Sequence, residues 1–121
     1  MEQGDTVLPC AAAYGIGTLL IISAGVFTAP ASTVKATHIL TRPTTASGEK
    51  CVGRPLSEGG VFEPQYDIAC AAWATVYQAA GGKVSSTNAG GNSQVFGQCV
   101  EANGVTKSTN GTPTGRTVLT R

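Results

Sequence analysis

The chain has 121 residues, only 12% of them charged, and eight Lys and Arg against seven Asp and Glu leave a formal net charge of +1. That length points to one domain, and the charge balance excludes a general affinity for polyanions such as nucleic acid. With one His and two Asp, most catalytic constellations are excluded by supply.

Residues 1–9 read as an extended N-terminal arm, with its β-type run at Thr6, Val7 and Leu8 before Pro9. Alone, this segment buries too little surface to offset its ordering entropy, so it is expected to be mobile in the free protein. An extended apolar run of this kind suits strand addition to an open sheet edge, which makes Thr6, Val7 and Leu8 the candidate contact residues. The remainder, residues 10–121, reads as a single β-rich domain.

No side chain between Asp5 and Lys35 is charged, a stretch long enough to span a bilayer. Its flank carries Glu2 and Asp5 rather than basic residues, against signal-peptide and positive-inside patterns. Pro9, Gly15, Gly17, Gly25 and Pro30 also interrupt it. Two short strands, 18–22 and 26–28, joined by a tight turn at Ser23-Ala24-Gly25, fit better.

Further along, 35–40 reads as a strand or loop edge, 42–49 as a polar loop, and 51–56 and 61–63 as short strands. Residues 68–74 are ambiguous, because alanine favours helix while Trp73 and its β-branched surroundings favour strand. Residues 73–77 alternate, turn through Gln78-Ala79-Ala80-Gly81-Gly82 and return over 83–86, which is a hairpin pattern. A turn over 87–93 leads into a strand over 94–101. Asn103-Gly104 and Asn110-Gly111 are further turn signals, and 116–120 is again β-type. Punctuation about every 8–12 residues is the rhythm of an all-β domain. Trp73, Val76, Phe96 and Val118 are expected in core or intersubunit packing.

Cys10, Cys51, Cys70 and Cys99 form no C-x-x-C pair, and His38 is the only imidazole, so a zinc site has no local framework. Four cysteines allow three disulfide pairings in an oxidising compartment. With no secretory signal in the chain, reduced, buried thiols are the expectation. No G-x-S-x-G, Walker A or G-x-G-x-x-G sequence is present, and no catalytic residue, metal or cofactor is assigned. Glu63 and Asp67 are the nearest apolar-flanked carboxylates, and a catalytic pair there cannot be told from two solvated side chains. Low charge with abundant Gly and Thr suits either a Thr-coated β domain or a chain whose surface is covered in an assembly.

The run ATVYQAAGGKVSSTNAGGNSQVFGQCVEA followed by GTPTGRTVLTR resembles the C-terminal half of the small capsid decoration (cement) proteins of tailed bacteriophages. The matching positions are Val76-Tyr77, Lys83-Val84-Ser85-Ser86, Gly91-Asn92, Phe96-Gly97 and Gly115-Arg116 with Val118-Leu119. Gly4-Asp5-Thr6-Val7 and the run GTLLIISAGVF are similar to that family's start, while residues 35–65 match poorly.

The resemblance implies a mainly β, compact β-tulip or small-barrel-like domain, a homotrimer on the outside of a phage head. Its partner would be the major capsid protein, with no active site, no cofactor, no direct nucleic-acid contact and no membrane. Assembly would take place in the host cytoplasm. The competing expectations are a membrane-anchored or secreted filament subunit with residues 7–34 as hydrophobic anchor, and a small enzyme or ligand-binding β module.

Overall fold

Leu19, Leu20, Ile21 and Ile22 follow one another without polar alternation, a pattern a strand tolerates when both of its faces are covered. In the computed structural model, which describes residues 5–67, 70–88, 91–102, 108–109 and 112–120, this run is β2 (Leu19–Ser23). Leu19 and Leu20 are both fully buried, in different hydrophobic clusters on opposite faces of the strand. Ile39 and Leu40 divide in the same way.

The molecule is mainly β. The first sheet contains β1 (Thr6–Pro9), β2, β3 (Val26–Thr28), β4 (His38–Leu40) and β5 (Lys50–Pro55), in the order β1-β5-β4-β2-β3. The second contains β6 (Val61–Phe62), β7 (Thr75–Ala79), β8 (Lys83–Ser85), β9 (Val95–Cys99) and β12 (Thr117–Leu119), in the order β6-β12-β9-β7-β8. Between β9 and β12, β10 (Ser108–Thr109) and β11 (Thr112–Pro113) pair as a two-stranded ribbon. The pairings within these sheets are antiparallel. A short 3-10 turn, Leu56–Glu58, connects the two sheets.

Local chemistry accounts for the hairpins. Ala24 and Gly25 have φ of 52° and 81° between the paired Ser23 and Val26, the two positive values that match a hairpin turn to strand twist. Residues 68–74 become neither helix nor strand where described: Cys70 forms a bridge and a turn follows before β7. The expected turns at Asn103-Gly104 and Asn110-Gly111 lie outside the described residues.

The first sheet curls until its two edges touch. Cys10, just past β1, bridges Phe27 of β3, and Ala11 N–H donates to the Phe27 carbonyl at 2.9 Å. With β3 only three residues long, contact stops at this bridge. Both sheets therefore stay open, which corrects the small-barrel expectation. Inside the curl lie Cys10, Leu20, Phe27, Leu40 and Cys51.

The larger core lies between the sheets, where Leu19, Ala36, Ile39 and Leu56 meet Phe62, Tyr66, Val76, Val84 and Phe96. The expectation of core packing holds for Val76 and Phe96, both fully buried.

Two further segments take part in the first sheet. The separate arm over residues 1–9 is, where described, strand β1, with Thr6 opposite Gly53 and Pro9 opposite Lys50. Its pairing partner comes from the same chain, so ordering it requires no neighbour. Residues 7–34, the alternative hydrophobic anchor, carry β1, β2 and β3, with Leu19, Leu20 and Phe27 buried in the cores. No helix among the described residues is long and apolar enough to cross a membrane.

Polar side chains tie the sheets together across the core. Gln78 of β7 is 1% exposed; its Oε1 accepts from Ala36 N–H at 2.9 Å and its Nε2 donates to the Val34 carbonyl at 2.6 Å. Removing both bonds strands buried polar groups, which typically costs about 1–3 kcal/mol. Gln78→Ala is therefore expected to lower the urea midpoint while leaving the denaturant slope unchanged.

Candidate interaction surface

Strand β1 separates the three residues expected to make contacts. The Thr6 hydroxyl lies 3.2 Å from Nε2 of His38. Val7 points outward and is 52% exposed, whereas Leu8 packs against the core inside the curled sheet. Alternation along a strand sends neighbours to opposite faces, so only Val7 of the two apolar residues is presented to a partner. As the outer strand in the sheet order, β1 is still an edge.

A broader outward-facing set lies on the second sheet, where register aligns Thr75, Gln98, Val118 and Val61 in one row across β7, β9, β12 and β6. Tyr77 opposite Val95 forms the next row. Val61 is 49% and Val95 41% exposed.

At the end of this face stands Trp73, 59% exposed and at φ 64°. Its N–H donates to the Cys99 carbonyl at 2.8 Å, and its own carbonyl accepts from Nε2 of Gln98 at 3.5 Å. Of the two places expected for Trp73, core or intersubunit packing, the core is thus removed: the turn into β7 fixes its backbone in the left-handed region and turns the indole outward. Val118 is only half-buried, on the same open face. Periodicity alone could not reveal this, since an aromatic ahead of an alternating strand ordinarily signals core.

His38 lines a cleft of about 730 Å³ with Thr6, Lys35, Thr37, Pro55 and Leu56. The Thr37 hydroxyl lies 2.8 Å from Nδ1, and the ring meets Phe27 edge-on at a centroid distance of 5.1 Å. This arrangement positions one imidazole between two hydroxyls. Burial lowers the His38 pKa below its ordinary 6.5.

Between the lowered folded value and 6.5, the unfolded chain binds more protons than the folded one. The stability His38 contributes is therefore complete above about pH 6.5 and is lost as pH falls through the folded value. Urea midpoints at pH 7.5 and 5.5 are expected to differ less in His38→Asn than in the parent. Equal differences in the two proteins would remove this role.

Glu63 and Asp67, the nearest carboxylate pair in sequence, are both exposed. Among the described residues, no three His, Cys, Asp or Glu side chains group as a metal site. No family model, curated protein or solved structure matches the chain.

Proposed function

We propose that this chain is a capsid decoration protein, a trimer on the outside of a tailed-phage head that holds neighbouring major capsid subunits together. Support comes from the sequence resemblance over residues 74–102 and 111–121, the low charge and the apolar outer face of the second sheet.

The single observation that carries the reading is Trp73. A bulky residue at positive φ is held there at a cost of roughly 1–3 kcal/mol, and this one leaves its indole largely in solvent. Such a side chain contributes little to folding and is best explained by contact with a partner, where exposed aromatics anchor interfaces. Val7 on the edge strand offers a second, smaller contact.

The test is sedimentation of the purified protein with heads assembled from the major capsid protein encoded beside its gene. Saturable binding in multiples of three per head is expected. Absence of a neighbouring capsid gene, or of binding to its heads, overturns the proposal. Trp73→Gly separates contact from folding, since glycine accepts positive φ without strain. This variant is expected to melt at or above the parent temperature while decorating heads at lower occupancy. Undiminished occupancy would remove Trp73 from the interface.

A further inference from the structure

The four thiols fall into two separate places in the fold. Cys10 and Cys51 share the interior of the curled first sheet, whereas Cys70 and Cys99 share the core between the sheets. All four are buried.

Cys10 extends the β1–β5 pairing, because its N–H donates to the Glu49 carbonyl at 3.0 Å, while Cys51 stands opposite Leu8. The two cysteines are therefore diagonal neighbours on one face of an antiparallel pair, a relation that sets them about 7–8 Å apart with Cβ atoms somewhat closer, so a bridge draws the two strand ends slightly together. Cys99 lies in β9, and the segment carrying Cys70 is held against it. Trp73 N–H donates to the Cys99 carbonyl at 2.8 Å, and Cys99 N–H to the Ala74 carbonyl at 3.1 Å. The Cys70 thiol donates to the Ala71 carbonyl and the Cys99 thiol to the Glu101 carbonyl, both at 3.4 Å, and the Cys70 side chain lies close enough to Cys99 for the two thiols to interact.

We propose that the fold contains two disulfide sites, Cys10–Cys51 and Cys70–Cys99, which close when the chain folds in the presence of a small-molecule disulfide such as oxidised glutathione. The other two pairings that four cysteines allow each require a cysteine to leave its own core cluster. A bridge needs Cα atoms within about 7 Å and converging Cβ vectors, which favours partners already packed together.

In each site one cysteine thiolate attacks the glutathione disulfide. A mixed disulfide forms as the glutathione S–S bond breaks, and one glutathione thiolate leaves. The second cysteine, as thiolate, attacks the cysteine sulfur of the mixed disulfide and expels the second glutathione. Two thiols are oxidised, two electrons reduce one glutathione disulfide to two thiols, and the two cysteine protons end on those thiols.

The completed fold resists this chemistry. Burial, reinforced by the neighbouring Cys10, pushes the Cys51 thiol up to about 11, and burial with the Cys99 contact pushes Cys70 up to about 12. Thiolate is then scarce at neutral pH, so closure belongs to folding or to transient opening. A folded chain kept away from oxidant stays reduced, and alkylation in denaturant should modify all four thiols.

The experiment refolds the urea-unfolded, reduced full chain in a glutathione redox buffer, then alkylates it in denaturant. Combined digestion with trypsin and a protease cutting after Glu places each cysteine on its own peptide, through cleavage at Lys35, Lys50, Glu58 and Lys83. Mass spectrometry is expected to find no alkylated cysteine and two linked pairs, Cys10 with Cys51 and Cys70 with Cys99. The oxidised protein is expected to melt higher than the same sample after reduction, because each bridge restricts the unfolded chain. In Cys10→Ser, Cys51 should be alkylated while Cys70–Cys99 persists; Cys70→Ser should show the converse. Four alkylated thiols in the refolded parent, absence of either bridge, or any bridge joining the two clusters overturns the proposal.

Discussion

Replacing Phe96 by alanine is expected to lower the unfolding free energy by about 3–5 kcal/mol, the range for truncating a buried aromatic to alanine. Phe96 is fully buried in β9, a central strand of the second sheet. Its register with β7 shifts beside it: Val76 pairs with Gly97 and Tyr77 with Val95, leaving Phe96 as the extra residue of an irregularity. The ring belongs to the cluster that also contains Leu19, Ile39 and Leu56 from the first sheet side.

The cavity left by truncation would therefore open between the sheets, where two backbone layers limit collapse. Against a typical total stability of about 5–15 kcal/mol, such a loss should be plain in a urea titration. The midpoint should fall with little change in slope. An unchanged midpoint would place Phe96 outside the shared core.

The strands legible in the sequence were those whose causes are local. The hairpin at Ala24-Gly25 announces itself through a β-type run on each side of a glycine turn, and β7–β8 through alternation into Gly81-Gly82. What stayed hidden depends on partners distant in sequence. Nothing in Thr6, Val7 and Leu8 reveals that Gly53, Val52 and Cys51 complete their hydrogen bonding, so the segment reads as a free arm.

Likewise, adjacent leucines in β2 do not disclose that they enter different cores. The orientation of Trp73 follows from a backbone bond to Cys99, again nonlocal. Of the contact residues inferred from sequence, Val7 is outward, while Thr6 meets His38 and Leu8 faces the core. The cysteine pairing was open by counting alone; the division into two clusters supplies a physical basis for choosing.

Gly97→Ala is expected to destabilise by more than the roughly 1–3 kcal/mol usual for overpacking. Gly97 does not have a positive φ among the glycines that do, so its role is close approach rather than conformational freedom. A Cβ at this position would overlap the Val118 carbonyl oxygen, with the carbonyl carbon at 2.8 Å and Leu119 Cα at 3.1 Å. These are backbone atoms, so no side-chain rotation relieves the overlap.

Strand β12 would have to move away from β9, although Leu119 pairs with Gly97 and Val118 with Gln98. The disturbance would spread outward, because β12 also pairs with β6 and Leu119 N–H donates to the Gly60 carbonyl at 3.0 Å. Hydrogen exchange should therefore lose protection first at β12 amides, while the β2–β3 hairpin of the other sheet retains more. Gly53→Ala provides a graded comparison: its Cβ would stand 2.7 Å from Cζ of Phe27, a side-chain atom with more freedom to shift. A Gly97→Ala protein that melts with the parent and keeps β12 protected would mean that β9 and β12 do not approach this closely. The Phe-Gly pair that helps carry the sequence resemblance would then lose its structural explanation: phenylalanine to fill the inter-sheet core, glycine to admit the closing strand.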